Sequence, residues 1–194
     1  MKQLFPDIQT AEQVVCITNR HLTDDLLKQI ERVTSLGVKT LILREKDLTE
    51  EAYETLAEQV LSICHANGCK CIYHNFYQTA QKQKPDGLHL PYHKFISLSE
   101  EERRNVPVIG VSVHSVEEAK LCEKLHASYL MAGHIFATDC KKGLPPRGLP
   151  FLKEICDSVS LPVYAIGGID FSNMKQCIEN GAKKVCMMSY FSKI

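Results

Sequence analysis

Eight short runs rich in Val, Ile and Leu recur along a chain of 194 residues, and longer polar-apolar segments separate them; this alternation most limits the folds open to the sequence. The runs predict strands at 14–18, 39–44, 70–73, 86–90, 107–112, 128–132, 161–166 and 184–189. Helical spacing covers 23–36, 49–66, 115–126 and 171–180, which open at the N-cap candidates Thr23, Thr49, Ser115 and Ser172. Ser115-Val116-Glu117-Glu118 has the form of a capping box, and Gly37, Gly68 and Gly181 stand where left-handed caps would end helices. Strands joined by helical crossovers admit a closed eight-stranded barrel or an open doubly wound sheet. No Gly-x-Gly-x-x-Gly follows the first run, whereas Gly167-Gly168 follows the seventh, where barrels place phosphate sites. The expectation is α/β, a (βα)8 barrel forming a single domain over 1–194, with a short or missing last helix because only five residues follow the eighth run.

Composition removes several function classes. With 23 Lys+Arg against 23 Asp+Glu and no run of basic residues, the chain offers no field for a polyanion, so no nucleic-acid partner is expected. No apolar run approaches the roughly 18 residues of a membrane span, and Met1 to Asp7 lacks the apolar core of a secretory leader, so no membrane partner and a cytoplasmic location are expected. Nine cysteines without a Cys-x-x-Cys pair argue against a zinc ribbon, and most lie in apolar segments such as Val14-Val15-Cys16-Ile17. They read as reduced, buried thiols in a reducing compartment.

In a parallel barrel, the carboxyl ends of the strands converge on one face, which gathers Arg44-Glu45-Lys46, His74-Asn75, Ser112-Val113-His114, Gly133-His134, Thr138 to Gly143, Gly167-Gly168 and Ser189. Cations, histidines and loop N–H groups outnumber carboxylates there, as in an anion pocket. Gly167-Gly168 either lets a phosphate approach the backbone or serves as a plain tight turn. Arg44 and Lys46, two apart, either contact an anion together or form salt bridges with Glu45 and Asp47. His134 is either a packing residue or, with its near-neutral pKa, a proton shuttle. His89 and His114 read as local hydrogen-bonding residues, and Cys140 has no identifiable partner that would make it a nucleophile.

The segments Leu43-Arg44-Glu45-Lys46, Pro85 to Leu90, Ile109 to Ser115, Gly133 to Thr138 with Lys141-Lys142-Gly143, and Ala165 to Ile169 together resemble, in order and spacing, the thiamine phosphate synthase superfamily. The resemblance runs from strand one to strand eight and implies a TIM barrel. It implies substrate contacts at Arg44, Lys46, Ser112, Thr138, Lys141, Gly167, Gly168 and Ser189. Synthases of the family couple a pyrimidine pyrophosphate to a thiazole phosphate with Mg²⁺ held by two Asp; the matching positions here are Asn75 and Lys94. Ile42 and Cys140 replace a family Gln and Thr as well. Gly133-His134 in place of Gly-Pro is similar to the thiazole tautomerase branch (TenI), which implies His134 as catalytic residue, with Lys141 as competing base, in a cofactor-independent isomerase. That enzyme would aromatise a carboxylated thiazole phosphate, with no metal. A thiamine phosphate synthase and a non-catalytic thiazole or thiamine phosphate-binding regulator are the alternatives. A homo-oligomer is left open.

Overall fold

The computed structural model describes residues 4–194, apart from the side chain of Cys140. Met1, Lys2 and Gln3, part of the segment read above for a leader, lie outside the described residues. The strands are β1 (Val14–Ile17), β2 (Thr40–Leu43), β3 (Lys70–His74), β4 (Gly87–Pro91), β5 (Ile109–Val113), β6 (Tyr129–Gly133), β7 (Val163–Ile166) and β8 (Lys184–Met187). They form a closed parallel barrel in chain order, as the alternation of apolar runs predicts. The helices are α1 (Ile8–Gln13), α2 (Leu26–Ser35), α3 (Glu50–Ala66), α4 (Tyr77–Gln83), α5 (Tyr92–Ser97), α6 (Glu100–Arg104), α7 (Val116–Lys124), α8 (Gly148–Ser158) and α9 (Met174–Glu179).

Two of the expected caps form. The Thr49 hydroxyl accepts from the Ala52 N–H at the start of α3, and the Ser115 hydroxyl accepts from the Glu118 N–H at the start of α7. The Glu118 carboxylate turns back to the His114 N–H at 2.7 Å, one residue before the cap. At α2 the cap is Asp25 and not Thr23, because the Asp25 carboxylate reaches the Lys28 N–H at 3.1 Å. Ser172 does not cap α9: its N–H and hydroxyl both donate to Asp170, and the helix begins after Asn173. The C-terminus of α3 closes as expected at Gly68 (φ +63°), where the Cys69 N–H donates to the Cys64 carbonyl and the Gly68 N–H to the His65 carbonyl.

The chain divides into two compact units. One holds the residues up to His89 with Asn105–Pro107 and Met188–Ile194. In it, Leu41 pairs in register with Cys71, Leu43 with Tyr73, and His74 with His89. The Tyr73 hydroxyl donates to the Ala57 carbonyl of α3, so the odd-numbered face of β2 and β3 packs under the helix. Ile42, Arg44, Ile72 and His74 therefore alternate onto the opposite, barrel-lining face. After β8, the turn at Phe191–Lys193 is held to α2 by the Gln29 side-chain amide, which donates to the Phe191 carbonyl at 2.8 Å.

The other unit holds Leu90–Arg104 and Val108–Met187. Gly110 stands opposite Tyr129, and a Cβ at Gly110 would lie 2.0 Å from the Tyr129 ring, so the absence of a side chain makes room for that buried tyrosine. Tyr129 in turn stacks on Tyr164, with centroids 4.3 Å apart. Leu130, Ala132, Ala165, Val185 and Met187 alternate onto a fully buried face. Among the described side chains, eight cysteines are free thiols and seven of these are buried, in keeping with the packing role read from the sequence.

Candidate active site

In the first unit, the end of β2 sorts its charges. Glu45, 1 % exposed, accepts from the Thr18 hydroxyl at 2.6 Å and from the Arg20 N–H at 3.1 Å. The Arg20 guanidinium grips Asp47 with two hydrogen bonds of 2.6 and 2.7 Å, and the His21 Nε2 lies 2.9 Å from the same carboxylate. Arg20 and then His21 hold the Asp47 carboxyl well below the usual range. Salt bridges from Arg44 and Lys46 to Glu45 and Asp47 are thus not what the structure contains. Among the described residues neither cation makes an ion pair. The Arg44 N–H donates to the Thr18 hydroxyl at 2.9 Å, which ties the ends of β1 and β2 together.

Beside Arg44 lie two histidines, His74 and His89, stacked with centroids 5.8 Å apart. His89 is 1 % exposed. Burial, and then the nearby Arg44 charge, pushes its pKa down to about 3, so it stays neutral at pH 7. Asn75 adopts φ +77°, a left-handed conformation that Asn tolerates, with its N–H on the His89 carbonyl at 3.0 Å. Ser189, exposed beyond β8, accepts at its carbonyl from the Ser192 hydroxyl.

The second unit brings Gly167 and Gly168 against the loop after β6. The Ile135 and Phe136 N–H groups donate to the Ile166 and Gly167 carbonyls, each at 2.9 Å. A Cβ at Gly167 would lie 2.4 Å from the His134 Cβ, and one at Gly168 would lie 2.3 Å from the Ala137 carbonyl oxygen. With φ +108° and +63°, these glycines are required by protein packing as well as by any ligand. His134 therefore packs directly on the Gly167 turn. Its Nε2 sits 3.4 Å from the Leu144 carbonyl oxygen. Ser112, half-buried on β5, stands in register with Met131. The Lys141 side chain is exposed, and its N–H donates to the Thr138 carbonyl at 3.1 Å. Lys94, half-buried, lies in α5. His114 has the local role expected of it, with its N–H on Glu118 and its carbonyl accepting from the Arg147 guanidinium.

Two arginines were not foreseen in the sequence. Arg20 follows β1 directly and was open to the strand-end argument applied to the other strands. Arg147 sits 13 residues after His134, and its N–H returns to the His134 carbonyl at 3.0 Å; no spacing rule marks it.

A family model described as "Thiamine monophosphate synthase" matches residues 14–191. The "Putative thiamine-phosphate synthase 2" of Aquifex aeolicus is 32 % identical over 168 residues, covering 87 % of this chain and 90 % of the relative. The "Thiamine-phosphate synthase" of Pyrococcus abyssi is 33 % identical over 175 residues, covering 89 % and 83 %. A solved structure, "Thiamine phosphate pyrophosphorylase from Pyrococcus furiosus", superposes with a TM-score of 0.79 at 25 % identity, covering 94 % of this chain and 88 % of the other. These relatives correct the expected isomerase. The two sequence relatives carry the name of a synthase, a transferase that joins two molecules, and none of the three carries that of a tautomerase. The physical reason for the misreading is the weight placed on His134, whose position is accounted for by its packing on Gly167.

Proposed function

Since the chain belongs to the thiamine monophosphate synthase family, we propose that it is itself a thiamine-phosphate synthase, joining a pyrimidine carried as its pyrophosphate to a thiazole phosphate. The observation that carries this reading is the basic pair Arg44 and Lys46 at the end of β2, without ion pairs among the described residues while Arg20 holds the neighbouring Asp47. In the coupling, a bond forms between the thiazole nitrogen and the pyrimidine side-chain carbon, and the carbon–oxygen bond to the diphosphate breaks. The electron pair stays on the departing oxygen, so positive charge at the diphosphate lowers the barrier. Arg44 can offer a planar fork to two phosphate oxygens and Lys46 a mobile point charge. Neutral His89 adds no cation of its own. Thiazole phosphate is assigned to the second unit, to Ser112, Thr138, Lys141 and the N–H groups of Gly167 and Gly168.

The Mg²⁺ site implied by the resemblance does not fit this chain. Asn75 and Lys94 stand where two carboxylates are expected, and among the described residues no group of three His, Cys, Asp or Glu is arranged to hold a metal ion. Hard Mg²⁺ requires oxygen ligands, and an ammonium group opposes it. The charge of the leaving diphosphate is therefore assigned to the protein's own cations.

The missing carboxylates also favour a second reading, a protein that binds thiazole phosphate without coupling it. Purified protein given both substrates decides between them, with thiamine phosphate resolved by chromatography and diphosphate measured in parallel. Equimolar appearance of both products supports the synthase. Calorimetric binding of thiazole phosphate with no product would establish the second reading.

A further inference from the structure

We infer that Arg20 is a positioning residue for the basic pair: by holding Asp47 and Glu45, it keeps the two carboxylates that flank Lys46 from neutralising Arg44 and Lys46. The inference rests on the reading that this pair receives a diphosphate. The sequence Arg44-Glu45-Lys46-Asp47 alternates charge, and such a stretch would ordinarily satisfy itself. Here it does not, because a third cation arrives from the turn at Arg20–Leu22 that follows β1.

Arg20 engages Asp47 in a two-pronged pair at 2.6 and 2.7 Å, approaches Glu45 at 3.5 Å with its guanidinium, and donates its N–H to both Glu45 oxygens at 3.1 Å. Thr18 completes the arrangement. Its hydroxyl donates to Glu45 and accepts from the Arg44 N–H, so the same side chain fixes the anchored carboxylate and the backbone that carries the free cation. His21 adds a further contact to Asp47 at 2.9 Å. Glu45 is almost fully buried and Asp47 about half exposed. Of the two, Asp47 is thus the carboxylate able to swing back toward Lys46 if Arg20 lets go.

Two charges some 7 Å apart at an effective dielectric near 40 interact strongly enough to change an affinity about tenfold, which sets the expected size of the effect. The probe is inorganic pyrophosphate, followed by calorimetry on the full chain. Arg20→Met is expected to weaken binding about tenfold. Arg20→Met combined with Asp47→Asn is expected to recover most of that loss, because removing the carboxylate's charge does what Arg20 did. Asp47→Asn alone is expected to leave affinity within about twofold of the parent, since Asp47 is already neutralised, and this variant removes no buried group.

Failure of the double variant to recover, with circular dichroism showing both variants folded, would overturn the inference and leave Arg20 a structural tie. Tightening of several fold in Asp47→Asn alone would overturn it as well, since Asp47 would then be opposing the anion despite Arg20. If the parent binds pyrophosphate no better than Arg44→Met does, the reading of the basic pair itself falls. If the parent binds in an Arg44-dependent manner and Arg20→Met equals it, only the role of Arg20 falls.

Discussion

A Cβ at Gly168 would meet the Ala137 carbonyl oxygen at 2.3 Å, and the residue holds φ +63°, so Gly168→Ala meets both a steric and a conformational cost. A loss of roughly 1–3 kcal/mol in stability is expected, and urea unfolding will show it as a lowered midpoint. An unchanged midpoint would mean that the loop after β6 gives way freely. His89 makes a second prediction. Its pKa of about 3 in the fold lies below its ordinary 6.5, so between those pH values the unfolded chain takes up a proton that the folded chain refuses. Stability therefore falls as pH drops from 6.5 toward 3, with a slope of up to about 1.4 kcal/mol per pH unit from this residue. His89→Gln is expected to flatten that limb in unfolding curves measured from pH 4 to 7; equal slopes in parent and variant would show that His89 titrates normally.

α2, α3 and α7 are long enough to display a periodic face and were legible, and the six-residue α9 was legible as well because Gly181 marks its end. α3 and α7 carry helical spacing and a hydroxyl at the cap, and both were read to within two residues at either end. Ser115→Ala is expected to cost about 1 kcal/mol, checked by the shift in urea midpoint, because it leaves the Glu118 N–H without its cap; no shift would mean that water replaces the hydroxyl at no cost. α4, α5 and α6 have seven, six and five residues, too few for an apolar stripe to stand out from loop sequence. α8 begins Gly-Leu-Pro, which reads as a turn; Pro150 is tolerated because it lies in the first turn, where its missing N–H breaks no helical bond. The strands were found because parallel strands buried on both faces are continuous apolar runs.

For the molecule as a whole, the closed barrel followed from eight such runs together with Gly167-Gly168 after the seventh, since the runs alone also admit an open doubly wound sheet, while the site was legible only in part. Arg44, Lys46 and the Gly167-Gly168 turn could be nominated because strand ends are where polar groups converge. What periodicity could not disclose was which charges cancel: whether Arg44 pairs with Glu45 depends on Arg20 arriving from the turn after β1, 24 residues away. The same blindness led from a histidine at a strand end to an isomerase, because sequence shows the imidazole but not the turn it packs against. In the proposed synthase, protein cations and not a divalent ion carry the charge of the departing diphosphate. Single-turnover formation of thiamine phosphate, compared in EDTA and in Mg²⁺ for the parent and for Arg44→Met, tests it most directly. Parent rates within a few fold in the two conditions and a loss of about 10²-fold or more in Arg44→Met are expected. Product that forms only with Mg²⁺, at a rate indifferent to Arg44→Met, would contradict it.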